Sequence, residues 1–177
     1  IICIKNYTYI SNNNTIIPIP FGSELNTELI INQSIRFNSR DFIEPNINQI
    51  NRLNVYLKKW IGVPYLWGGK STWGTDCSGF VQTIFKTLDI LLPRDAYQQA
   101  ESGTKINLSE IKKGDLAFFK NKEDKIVHVG IILNSKNKAN IIHASGMVRI
   151  DKLDERGIFN EDLSNYSHEL AFIKRII

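Results

Sequence analysis

The chain has 177 residues, 42% hydrophobic and 23% charged, with 11 Gly and 5 Pro. That composition excludes collagen, coiled coil and full disorder, and no apolar run reaches the roughly 18 residues of a membrane-spanning helix. Lys+Arg 22 against Asp+Glu 18 gives a net +4. The basic residues are scattered, in runs no longer than pairs such as Lys58-Lys59 and Lys112-Lys113, which suits a carboxylate- or phosphate-bearing ligand and argues against nucleic acid. Two cysteines, Cys3 and Cys77, are too few for a disulfide scaffold or a four-cysteine zinc site, and leave room for one disulfide. The chain opens Ile1-Ile2-Cys3 without Met, so an export signal would have been lost with the preceding residues.

Residues 1–47 read as short strands separated by turns. Tyr7–Ile10 is β-like and is followed by the turn Asn12–Asn14. Pro18, Pro20 and Gly22 break the next run. Leu29–Ile31 reads as a further short apolar run closed by Asn32 and Gln33. This spacing predicts a small β-barrel or part of one. About 45 residues is thin for an independent core, so the piece is expected to be incomplete or docked on the remainder. Glu44-Pro45-Asn46 reads as a linker.

Residues 48–177 read as a second unit. With Asn48 as N-cap, Ile50, Leu53, Leu57, Trp60 and Ile61 predict an amphipathic helix over 49–61. Gly68-Gly69 and Gly74 mark a loop. Phe80, Val81, Ile84, Phe85 and Leu88 predict a helix over 77–88, and Asp95 caps a short helix that stops at Gly103. The period then changes to two. Strands are expected at Leu116–Phe119, Ile126–Leu133, Ile141–Ala144, Val148–Ile150 and Leu170–Arg175, with a turn at Asn134–Asn140. Helices followed by antiparallel strands is the α+β order.

Cys77 lies in Gly74-Thr-Asp-Cys-Ser-Gly-Phe80, where a loop feeds directly into an apolar helix. Unpaired N–H groups and the helix dipole favour a thiolate there, with thiol pKa values of roughly 3.5–7.5 at such sites. A small buried thiol is the plainer alternative. His128 and His143 sit in apolar strands, where a histidine is commonly a hydrogen-bonded core residue. Two of them on neighbouring strands behind a helix-capping Cys supply what Cys–His catalysis requires: a thiol, a base and a group that orients the base. His168, in Asn165-Tyr-Ser-His-Glu169, reads as a loop residue without a role. Cys77, His128 and His143 as three zinc ligands is the rival reading, disfavoured because there is neither a close helical histidine pair nor a C-x-x-C.

Six strings carry a resemblance: Pro64-Tyr-Leu-Trp-Gly-Gly69, Asp76-Cys-Ser-Gly-Phe-Val81, Leu92-Pro-Arg-Asp95, Lys113-Gly-Asp-Leu116, His128-Val-Gly-Ile131 and Ile142-His-Ala144. In this order they resemble the NlpC-type cell-wall peptidases, papain-like cysteine enzymes acting on peptidoglycan peptides. The resemblance covers about 48–177. It implies Cys77 as nucleophile, His128 as general base and acid, and His143 as the orienting third member. It makes the Tyr65 hydroxyl a second oxyanion donor beside the Cys77 N–H. It also implies a substrate pocket of Trp67, Asp76, Ser78 and Arg94. Asp76 would hold a substrate amine, Ser78 a carboxylate, and Arg94 either a substrate carboxylate or Asp95. Asp95 stands where many relatives have Ser or Thr.

Ile19-Pro-Phe-Gly-Ser-Glu-Leu25 resembles a turn of bacterial SH3-like barrels. In relatives that carry such barrels, these restrict the cleft to peptides with a free N-terminus, cut between D-γ-glutamate and a diamino acid. The expected protein is thus an exported, monomeric cysteine endopeptidase of peptidoglycan peptides that needs no cofactor or metal. An acyltransferase or amidase on the same scaffold is the enzymatic alternative, and a non-catalytic wall-binding module the non-enzymatic one.

Overall fold

The computed structural model describes residues 1–12, 15–32, 35–134 and 139–177. The N-terminal piece contains β1 (Ile2–Cys3), β2 (Tyr7–Asn12), β3 (Thr15–Pro20), α1 (Thr27–Asn32), β4 (Arg36–Phe37) and β5 (Phe42–Ile43). Among the described residues these strands form a three-stranded sheet, β3–β2–β4, and a two-stranded one, β1–β5. The run expected as a strand at Leu29–Ile31 is instead part of α1, where the Asn26 side chain accepts from the Glu28 N–H and starts a helical turn. The expected turn residues Asn13, Asn14 and Gln33 lie outside the described residues.

Cys3, Ile10, Ile19 and Phe42 form a small apolar cluster of this piece. Phe21 and Ile4 belong instead to the main core. The Phe21 ring meets Tyr56 and Trp60 edge-on, with centroids 5.9 and 5.6 Å away. Gly22 follows at φ +87°, and a Cβ there would lie 2.1 Å from Thr83 Cγ2, so a glycine lets the chain reach the next unit. Lys59 Nζ donates to the Ile4 carbonyl (2.6 Å) and Asn6 Nδ2 to the Lys59 carbonyl (2.8 Å). Through these contacts the piece is docked on the residues that follow it.

The expected helix at 49–61 is divided. A 3₁₀ segment runs over Ile47–Arg52, with Asn46 rather than Asn48 as its side-chain cap, and α2 covers only Leu53–Lys58. The Asn-rich start explains the tight turns, since Asn side chains compete for backbone hydrogen bonds. β6 (Lys70–Ser71) and β7 (Gly74–Thr75) form a small hairpin before α3 (Cys77–Lys86), and α4 (Ala96–Gln99) follows.

The remaining strands are β8 (Thr104–Ile106), β9 (Leu116–Lys120), β10 (Ile126–Asn134), β11 (Ala139–Ser145), β12 (Met147–Leu153), β13 (Gly157–Asn160) and β14 (Asn165–Arg175). They form one antiparallel sheet in the order β13-β12-β11-β10-β9-β14-β8, and β14 also pairs with β13, so the sheet curls back on itself. Of the expected 134–140 turn, residues 135–138 lie outside the described set. α3 packs on β10 and β11. Its Phe80, Val81, Ile84 and Phe85 share a core with Leu116, Phe118, Val129, Ile131, Ile142 and Ala144. The opposite sheet face carries a second core that includes Ala117, Phe119, Ile132, Ile141 and Ile158. Burial on both faces explains why Leu116–Phe119 is uniformly apolar rather than alternating.

Candidate active site

Cys77 is the first residue of α3, and Asp76 is its N-cap, accepting from the Gly79 N–H at 2.7 Å. The loop before it approaches closely: a Cβ on Gly79 would lie 2.2 Å from the Gly69 carbonyl oxygen. The thiol is 6% exposed. Both cysteines are free, so the disulfide that two cysteines allow is not formed. Burial pushes the Cys77 thiol up. The N–H groups of Val129, Ser78 and Cys77 itself pull it down, the Asp76 charge pushes it further up, and the balance lies above the ordinary thiol value. The low pKa expected from the helix start is therefore overturned by desolvation. The N–H of Val129 facing the sulfur belongs to the residue after His128, which brings the start of β10 against the α3 N-terminus. Among the described residues no hydrogen bond joins the thiol to an imidazole.

His128 and His143 do meet. Gly130 of β10 is paired with His143 of β11, which makes the histidines diagonal neighbours on one face. His128 Nε2 and His143 Nδ1 are 2.8 Å apart, and His143 Nε2 is 2.9 Å from Asp151 Oδ2. Burial works against the Asp151 carboxylate, but its bonds to His143 and Arg149 outweigh this and hold its pKa below the ordinary value. An ionised carboxylate only accepts, so His143 carries a proton on Nε2, and in its neutral form it presents a lone pair at Nδ1. His128 must then donate through Nε2, which leaves Nδ1 as its unprotonated nitrogen. Burial lowers the His128 pKa well below 6.5, with His168 and His143 adding to it, so the ring rests neutral. Arg149 anchors the far end, with Nε 2.6 Å and Nη2 2.9 Å from the Asp151 oxygens and Nη2 2.8 Å from Asp162.

His168 is not in a loop. It lies in β14, and its ring stacks on that of His128 with centroids 4.1 Å apart. Burial and the neighbouring His143 push its pKa down to about 4. The imidazole cluster among the described residues comprises His128, His143 and His168, without Cys77, so the zinc set weighed from the sequence is not assembled.

A cleft of about 640 Å³ opens over Cys77, lined in part also by Tyr65, Trp67, Asp76, Ser78 and Arg94. Trp67 is 87% exposed. Burial, then the Cys77 and Asp76 charges, raise the Tyr65 pKa, so its hydroxyl keeps its proton. Arg94 pairs with Asp76 and not with Asp95: Nη2 is 2.5 Å from Asp76 Oδ2, and Nη1 is 3.0 Å from Oδ1 and 2.9 Å from Ser78 Oγ. Asp76 Oδ2 also accepts from the Gly68 N–H at 2.9 Å. The Asp76 carboxylate is thus fully engaged within the protein rather than waiting unpaired for a substrate amine. A second cavity of about 630 Å³, bounded by residues including Leu108, Leu153 and Arg156, is lined by no Cys, Ser, Thr or His among the described residues.

Asp151, Arg149 and His168 were missed in the sequence. Asp151 stood one residue beyond the expected end of its strand, and the polar surroundings of His168 masked its period-two position.

The profile of the NlpC/P60 family matches residues 62–165. The chain belongs to that family. A probable endopeptidase NlpC of Escherichia coli is 38% identical over 125 residues, 70% of this chain and 74% of the relative. Gamma-D-glutamyl-L-lysine dipeptidyl-peptidases are similar as well. The Bacillus cereus protein is 36% identical over 106 residues (59% of this chain, 32% of the relative) and the Bacillus subtilis protein 50% over 74 (41% and 25%). The chain thus spans about a third or less of those two enzymes. An NlpC/P60 family crystal structure from Bacillus cereus superimposes with a TM-score of 0.69 at 24% identity, over 99% of this chain and 62% of that one, which shows the fold. The few helices and the large antiparallel sheet that follow the N-terminal piece are compatible with an α+β papain-like fold. Among the described residues no helix is long and apolar enough to cross a membrane.

Proposed function

We propose that the protein is a cysteine endopeptidase that hydrolyses the D-γ-glutamyl–diamino acid bond of peptidoglycan-derived peptides. The observation that carries this reading is the proton chain His128–His143–Asp151 at the strand facing the α3 N-terminus. It leaves His128 Nδ1 to take the Cys77 proton as sulfur attacks the scissile carbonyl. Because the resting thiol and imidazole are both neutral, proton transfer accompanies attack. The tetrahedral oxyanion is held by the Cys77 N–H at the helix start and the Tyr65 hydroxyl. His128 returns the proton to the leaving amine. Water, activated by the same imidazole, then hydrolyses the thioester.

A γ-glutamyl bond leaves the glutamate α-carboxylate free, separated from the reacting carbonyl by the α-carbon and the two side-chain methylenes. Arg94 and Ser78 in the cleft suit that anion, and Trp67 supplies an apolar wall. A substrate amine would have to share Asp76 with Arg94, so the free-N-terminus preference is moderate rather than absolute on this geometry. The N-terminal piece, read as part of an SH3-like unit, docks on Tyr56 and Trp60 through Phe21, and none of its described residues lines this cleft. We place the enzyme outside the cytoplasm, at the wall, acting as a monomer. The test is incubation with L-Ala-D-γ-Glu-diaminopimelate and its N-acetyl form, with products followed by mass. Cleavage after D-Glu, lost in Cys77→Ser and His128→Ala, is expected; cleavage at another bond, or none, refutes the assignment.

A further inference from the structure

Three imidazoles crowd a place where the proposed chemistry uses two. One ring nitrogen from each of His128, His143 and His168 lies within 4.8 Å of the others. His143 stands edge-on to both partners of the His128–His168 stack, with centroids 5.0 and 5.6 Å away. We propose that these three histidines form a site for a divalent transition metal such as Zn²⁺, and that metal binding switches the peptidase off.

Imidazole nitrogen is a preferred Zn²⁺ ligand, and bonds of about 2.0–2.1 Å in tetrahedral geometry put ligand nitrogens about 3.3 Å apart. The His128–His143 pair, at 2.8 Å, opens by about half an ångström to reach that spacing. His168 closes from within 4.8 Å and, because its ring lies at 26° to that of His128, must turn out of the stack to aim a lone pair at the ion. A water completes the shell. His143 already has the support that metal-bound histidines carry, with its other ring nitrogen donating to the buried carboxylate of Asp151. That bond fixes a lone pair at His143 Nδ1, and metal and His128 compete for it. To bind through Nε2, His128 must give up the proton it holds there, which exchanges through solvent to Nδ1. Nδ1 is then protonated and can no longer accept the Cys77 proton. Inhibition follows without any contact between metal and sulfur. The switch rests on the proposed catalytic role of His128; the metal site does not.

The test separates the two. Cys77→Ser removes the thiolate as a metal ligand, and this protein is titrated with Zn²⁺ by calorimetry and with Co²⁺ by visible absorption. One ion per chain is expected. In that background His168→Gln and His168→Phe, the second keeping a ring in the stack, should each weaken binding at least tenfold, and Asp151→Asn about 10–100-fold. In the protein with Cys77, Zn²⁺ should inhibit cleavage, and His168→Gln should raise the inhibitory concentration at least tenfold, each variant measured against its own rate in chelator. Failure of Cys77→Ser to bind Zn²⁺, or unchanged affinity in both His168 variants, overturns the site. Unchanged inhibition in His168→Gln overturns the switch and points to the thiol as the metal's target. Zn²⁺ bound as described to a protein that cleaves no peptide, even in chelator, supports the site and refutes the peptidase reading alone.

Discussion

Replacing Asp151 by Asn should cost turnover although the residue does not line the cleft over Cys77. Asp151 Oδ2 accepts from His143 Nε2 and Arg149 Nε, and Oδ1 accepts from Arg149 Nη2. An amide has one oxygen for these two places. With its oxygen at the Oδ2 position, its NH₂ meets the Arg149 guanidinium, donor against donor. Turned round, it donates to His143 Nε2, and the tautomer of His143 reverses. His143 Nδ1 then carries a proton and faces the proton on His128 Nε2. Relief comes only if His128 moves its proton to Nδ1, the nitrogen needed by the thiol. A hydrogen bond to a charged group contributes about 1.5–3 kcal/mol, so its loss at the transition state lowers kcat about 10- to 100-fold. Arg149 keeps Asp162, which limits the loss of stability. The assay is kcat and KM on the γ-glutamyl peptide, with thermal unfolding alongside. The fall should lie in kcat, and His143→Gln added to Asp151→Asn should cost much less than it does alone, because both act on one proton chain. A kcat within twofold of the wild type, or additive effects, would refute the tautomer reasoning.

Three further outcomes follow from the packing and charges. Gly130→Ala places a methyl 2.7 Å from Ile141 Cδ1 and 2.9 Å from His143 Cβ; urea unfolding should show a loss of about 1–3 kcal/mol together with reduced turnover, and wild-type values for both would contradict the crowding. Phe21→Ala empties the contact with Tyr56 and Trp60 and should cost about 3–5 kcal/mol, read as a lower urea midpoint with earlier proteolysis within 1–47; an unchanged midpoint would mean the piece is not docked. Burial opposes the Asp76 carboxylate, but Arg94 and the Gly79 and Gly68 N–H groups outweigh it and hold its pKa below 3.8. Its stabilising contribution is therefore complete above that value and lost as pH falls through the lower folded value. Asp76→Asn should flatten the acid limb of the stability profile below about pH 4, and an identical limb would exclude this pair as its source.

The sequence by itself determined the α+β order of the larger part of the chain and the element or loop that carries each catalytic candidate. Cys77 at a helix start and the two histidines in strands follow from local rules: a small-residue loop feeding an apolar helix, and period-two runs long enough to read. The tertiary structure decided what those residues touch. Strand register put Gly130 opposite His143, which brought the imidazoles to 2.8 Å, and it set Asp151 behind them, though nothing near Asp151 in the chain signals a catalytic neighbour. The fold turned Arg94 toward Asp76 rather than Asp95, a choice between two carboxylates that adjacency in sequence cannot make. It raised the Cys77 thiol where the helix start alone would have lowered it, because burial is a property of what packs around the sulfur. It also carried His168 onto His128 across the closing strand β14, whose outward positions face solvent and read as a loop. Local pattern fixes elements through backbone preference and period. Partners across strands depend on register and closure, which are settled only when the whole sheet forms.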